Sequence, residues 1–137
     1  DAAMSGQDEA PDDLTGVWHG RYTYPFDLMP PTAFTATLIE SGGSLGGTTH
    51  ESTGSGGRNA VLDGVREGGS VRFVKVYAPA SAEYQDVIYS GALSSDRTEI
   101  EGEWTVPGVW QGKFLMIRTR GTAKSATRAV TRPVNVG

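Results

Sequence analysis

The sequence predicts an all-β protein, an eight-stranded antiparallel up-and-down (meander) β-barrel. Three observations lead there. Nineteen glycines and seven prolines in 137 residues, with only a fifth of the residues charged, suit short strands broken by turns better than helices. The chain falls into eight extended segments, each about as long as a strand, with turn chemistry at the joins. No window reads as a crossover helix that would cover the sheet, and so many uncovered strands leave long edges unless the sheet closes on itself.

Taken in order, residues 1–13 are polar and acidic, carry Pro11 and lack apolar periodicity, so they are expected to form a disordered leader. The barrel domain is expected over 14–120, with strands at 14–24, 34–40, 44–52, 59–67, 70–78, 83–93, 99–106 and 110–120. Ser41-Gly42-Gly43, Gly54-Ser55-Gly56-Gly57, Glu67-Gly68-Gly69, Ser94-Ser95-Asp96 and Pro107-Gly108 favour tight reversals between antiparallel neighbours. The longer link over 25–33 holds Pro25, Pro30 and Pro31, which cannot sit inside a sheet and mark a mouth loop or lid. Residues 121–137 carry Lys124, Arg128 and Arg132 and no carboxylate. They form a basic C-terminal tail, for which a short helix around 122–130, a strap across the barrel and disorder all stay open.

Length allows one core. A net charge of −4 would repel a phosphate backbone, so nucleic acid is excluded as a partner. The chain has no cysteine, hence no disulfide and no thiolate ligand or nucleophile, and its compartment stays open. No apolar run approaches the roughly 20 residues of a membrane-spanning helix, so a soluble chain without a membrane span is expected, with no signal peptide ahead of Asp1.

Period-two alternation assigns the faces. Glu99, Glu101 and Glu103 share one parity, which turns Ile100, Trp104 and Val106 inward. In the first strand Gly16, Trp18, Gly20, Tyr22 and Tyr24 share the inner parity, opposite His19 and Arg21. Two strands are apolar on both faces, so Val74, Val76, Leu115 and Ile117 are expected on an outer wall that something covers. A homodimer is the simplest cover; the tail or the Pro-rich link is the other.

The same parity turns charges inward: Lys75 between Phe73 and Tyr77, Arg118 after Phe114 and Met116, Glu40 after Leu38, and Glu51 after Leu45. Buried ionised groups need partners. One reading is an internal ion-pair network, Lys75 with a glutamate, closing the barrel bottom. The other is an anion-binding cavity floored by Lys75, with Glu51 near, and walled by Tyr22, Tyr24, Tyr77, Tyr89 and Trp104, whose rings would hold an apolar body.

Gly16-Val17-Trp18 opening the first strand, a meander of seven further strands and Arg118 near the end of the last resemble the calycin superfamily of lipocalins, fatty-acid-binding proteins and avidins. The resemblance implies a barrel whose closed end is plugged by Trp18 with Arg118 packed over its ring, Arg120 being the fallback. First and last strands are neighbours in a closed meander, which permits that cation–π pair. Leu45-Gly46-Gly47 is similar to the Gly-rich third strand of avidins. After their first-strand tryptophan, however, avidins place an asparagine and a serine where this chain has His19-Gly20-Arg21-Tyr22, so biotin is not supported. The chain is also similar to small bacterial barrel proteins of unassigned function, which implies a fold and no chemistry.

Catalytic and metal constellations are weak. His50 and Glu51 are adjacent on a strand and point to opposite faces, and His19 and His50 both fall on the outer parity, so no metal site is expected. The serines lie in turns, away from any strand-to-helix elbow, and no helix follows the Gly-rich loops to make a phosphate cradle. No cofactor is expected. The leading reading is a binding module for a small apolar or amphipathic molecule. The alternatives are a filled barrel acting in structure or oligomerisation, and a cofactor-free isomerase or cyclase using Lys75, Tyr77 and Glu51.

Overall fold

The computed structural model describes residues 13–53, 56–78 and 85–118. The leader except Asp13, the tail and Arg120 lie outside the described residues. Eight strands close into one antiparallel barrel: β1 (Gly16–Thr23), β2 (Thr32–Ser41), β3 (Ser44–Thr53), β4 (Gly56–Glu67), β5 (Ser70–Ala78), β6 (Val87–Leu93), β7 (Glu99–Val106) and β8 (Trp110–Arg118). Each strand pairs with its sequence neighbour, and β1 closes on β8. A 3-10 turn, Pro25–Asp27, lies in the link between β1 and β2.

Some boundaries shift for physical reasons. The first strand starts at Gly16 rather than at Leu14, because the Leu14 N–H is drawn to the Glu40 carboxylate. The sixth starts at Val87 rather than near 83, with Lys75 and Val87 as the last paired residues of β5 and β6. The fourth reaches back to Gly56, which brings Arg58 into the ladder opposite Glu51.

Alternation sorts the barrel wall, with Phe34, Ala36, Leu38 and Glu40 of β2 turned in and their neighbours exposed. Two glycines let the interior fill. A Cβ on Gly20 would strike the Phe34 ring, and one on Gly47, at φ +152°, would strike the Thr37 carbonyl. In the middle of the barrel Phe73 stacks on Tyr89 at 4.9 Å, and Phe114 meets Tyr89 edge-on at 4.9 Å, so no open channel runs through it.

One end is sealed. Trp18 is fully buried among Leu14, Leu38, Ile100 and Met116, and its Nε1 donates to the Leu14 carbonyl at 3.0 Å. Arg118, its register partner on β8, sets its guanidinium 4.5 Å from the Trp18 ring centroid and donates to the Asp13 carbonyl. Glu40 accepts from the Leu14 N–H at 2.9 Å and from Arg66 Nε at 2.8 Å, so the segment at 13–15 is tied across the barrel end.

The outer wall departs from simple parity at two positions. Ile117, expected on the outer face, is buried, and so is its register partner Glu99, expected in solvent with Glu101 and Glu103. The two cover each other beside the β6–β7 turn. Val74 and Leu115 are half-buried, and Val76 is exposed.

The Arg66 guanidinium, aided by the Leu14 N–H and opposed by burial, holds the Glu40 carboxyl below the ordinary glutamate range. A carboxyl lowered by folding stabilises above its unfolded pKa and loses that contribution as pH falls through its folded one. Thermal stability followed against pH is expected to decline below about pH 4.5. Glu40→Gln is expected to cost roughly 1–3 kcal/mol at neutral pH and to make the acid decline shallower.

Candidate functional site

The site lies at the end of the barrel opposite Trp18. Tyr22 stands four residues up β1 from Trp18, about 13 Å at strand rise, and the Lys75 ammonium sits 4.7 Å from its ring centroid. The internal pair of Lys75 with a glutamate, one of the two readings of the inward charges, is present with Glu51 as partner, but at this end rather than at the barrel bottom. Alternation along β5 carries Lys75 past Val71 and Phe73 towards the mouth, and the charges at the sealed end are Glu40, Arg66 and Arg118.

Glu51 organises the cluster. Its carboxylate has no solvent exposure. Oε2 accepts from Lys75 Nζ and from the Tyr77 hydroxyl, each at 2.9 Å, and Oε1 accepts from Arg58 Nη2 at 2.7 Å. Burial pushes the Glu51 carboxyl up, but Lys75, Tyr77 and Arg58 together outweigh it and hold it below the usual range. Burial pushes the Lys75 ammonium down, and Glu51 offsets part of that effect. Tyr22, Tyr77 and Tyr89 stay neutral. Burial drives Tyr22, Tyr77 and Tyr89 upward, and the nearby Glu51 charge adds to it.

Rings surround the ammonium. Lys75 Nζ lies 4.6 Å from the Tyr77 centroid and 5.4 Å from that of Tyr89, besides its contact with Tyr22, all within cation–π range. Beyond them Tyr22, Tyr24, Trp104 and Trp110 pack with centroids 5.2–5.9 Å apart. Trp104 is fixed by its Nε1, which donates to the Thr23 carbonyl at 2.8 Å.

These side chains line a half-open cavity of about 230 Å³. Tyr22, Tyr24, Lys75, Tyr77, Tyr89 and Trp104 all line it, and Glu51 stands behind Lys75 and Tyr77. The Pro-rich link reaches the same mouth through Met29. Sequence reasoning missed Arg58, Trp110 and Met29. For two of these the signal was present: Arg58 continues the parity of Ala60 and Leu62, and Trp110 that of Gly112 and Phe114.

His19 and His50 are exposed on the outer wall, and His50 Nδ1 is bonded to the Asn59 side chain at 2.8 Å. Among the described residues no three His, Asp or Glu side chains gather as metal ligands. No described helix is long and apolar enough to cross a membrane.

No protein-family model matches the chain. No curated protein matches it either. Among solved structures, it is similar to a de novo designed fluorescence-activating β-barrel, at 11% identity and a TM-score of 0.56, over 77% of this chain and 93% of that one. At that identity the likeness is one of fold, an eight-stranded antiparallel barrel.

Removing one partner of a buried ion pair leaves an uncompensated charge and typically costs about 3–5 kcal/mol, whereas replacing both by apolar groups can be neutral. Lys75→Met is therefore expected to destabilise strongly in urea unfolding, and Lys75→Met with Glu51→Leu to recover most of the loss. Arg58, which is partly exposed, is expected to be milder as Arg58→Gln.

Proposed function

We propose that the barrel is a small-molecule-binding module that takes an apolar or amphipathic ligand at its mouth, with the ligand's acidic group beside Lys75 and Arg58. One observation carries this reading: two cations share the single Glu51 carboxylate on the wall of an aromatic cavity. Lys75 already fills the space between the Tyr22, Tyr77 and Tyr89 rings, so these rings offer no free cage to a cationic ligand. Their edges, with Trp104 and Trp110, suit a flat apolar body. Binding is favoured over isomerase or cyclase chemistry because the ion pair with Glu51 favours Lys75 as an ammonium, which has further N–H donors for an acid but is neither a base nor an amine nucleophile. The Trp18–Arg118 pair at the sealed end supports a calycin-like ancestry.

Calorimetric titration with benzoate, 2-naphthoate and 2-naphthamide tests the reading. At neutral pH 2-naphthoate is expected to bind roughly tenfold or more tightly than its amide, since a hydrogen bond to a charged group contributes about 1.5–3 kcal/mol. Arg58→Gln is expected to weaken the acid and leave the amide unchanged. No binding by any of the three contradicts the proposal.

A second reading rests on the outer wall. Val17, Val61 and Val76 are exposed and fall on one row of cross-strand partners through Thr37 and Thr48, with Ile39 and Val65 close by. A row of three valines and two threonines suits a second copy of the chain. Sedimentation analysis is expected to give a dimer that Val61→Asp with Val76→Asp converts to monomer; a monomer at high concentration before substitution contradicts it.

A further inference from the structure

The mouth cavity, at about 230 Å³, is smaller than the ~300–1,000 Å³ of ordinary small-molecule pockets. A second depression of about 560 Å³ lies outside the barrel mouth, between the 3-10 turn and the β7–β8 turn. Pro25, Phe26 and Val109 line it, and so do Tyr24 and Trp110, which also line the inner cavity. The two spaces therefore meet at Tyr24 and Trp110. Tyr24 and Trp110 pack on each other at 5.2 Å and are both half-buried. Trp110 opens its strand directly after the turn at 107–109.

The outer space combines apolar groups that the fold holds in water with Thr23, Glu103, Gln111 and Lys113 along one side. Phe26 is 94% exposed and Val109 60%. Phe26 and Asp27 both adopt left-handed backbone, at φ 57° and 53°, a conformation that costs a non-glycine residue energy and marks functional positions. Here it keeps the Phe26 ring away from the core and on the groove. Such rings next to a cavity with an acid-binding floor match one kind of occupant, a ligand longer than the cavity.

We propose that this groove is an outer subsite, continuous with the mouth cavity across Tyr24 and Trp110, and that it receives the aromatic end of an elongated acid. The proposal rests on the binding reading above and adds the length and outer chemistry of the ligand. The acid group meets Lys75 and Arg58, a short apolar linker passes between Tyr24 and Trp110, and a terminal ring lies against Phe26 and Val109.

Titration with ω-phenylalkanoates of increasing length tests it, in the intact chain and in Phe26→Ser with Val109→Ser, whose side chains stand in solvent and leave the barrel interior untouched. Affinity is expected to rise tenfold or more between 4-phenylbutanoate and 8-phenyloctanoate, and the double variant to lose most of that rise while binding benzoate as before. Equal affinity across the series overturns the subsite and leaves the cavity reading intact if benzoate binds. A rise of the same size in the double variant also overturns it. Failure of benzoate and every longer acid to bind overturns both.

Discussion

The mouth of this barrel depends on one buried carboxylate. Glu51 has no access to water, and desolvating a carboxylate costs several kcal/mol unless partners replace the solvent. Three do so, from two strands: Arg58 on β4 and Lys75 and Tyr77 on β5, against Glu51 itself on β3. The arrangement fixes where each of these long side chains ends. Lys75 is drawn between three tyrosine rings, and Arg58 is drawn in from the rim over Tyr77. What stays open above them is a cavity whose floor is cationic and whose walls are aromatic.

The two ends of the barrel solve the problem of interior charge differently. At the sealed end Arg118 lies flat on Trp18, and Glu40 gathers Arg66 and the backbone N–H of Leu14. These contacts tie the chain start across the opening, so the charges serve closure. At the mouth the same chemical groups face a space that no backbone segment fills among the described residues. The stacked middle layer of Phe73, Tyr89 and Phe114 separates the two. Neither a wholly filled nor a wholly hollow barrel describes the molecule.

Most of the fold was legible in the sequence because turn chemistry and period-two alternation agree. Gly-rich pairs at 42–43 and 68–69 set two-residue reversals, and Trp18, Tyr22, Lys75 and Trp104 all fall on the inner parity. The depth of Lys75 was not legible. Alternation gives the face of a residue and not its height in the barrel, which depends on the stagger between strands. Arg58 was missed because Gly56 and Gly57 read as turn, whereas they continue a ladder opposite Ser52 and Thr53. Ile117 and Glu99 escaped parity because burial on an outer wall depends on what a neighbouring turn covers.

The protonation and position of Lys75 bear most directly on this picture, and nitrogen-detected NMR of the lysine side chains reads both. With only Lys75, Lys113 and Lys124 in the chain, the signals can be assigned by substitution. A slowly exchanging three-proton ammonium at Lys75 in neutral solution, shifting on addition of 2-naphthoate while Lys113 stays still, is the expected result. A neutral amine at that position, or an ammonium signal that 2-naphthoate leaves unmoved, contradicts it.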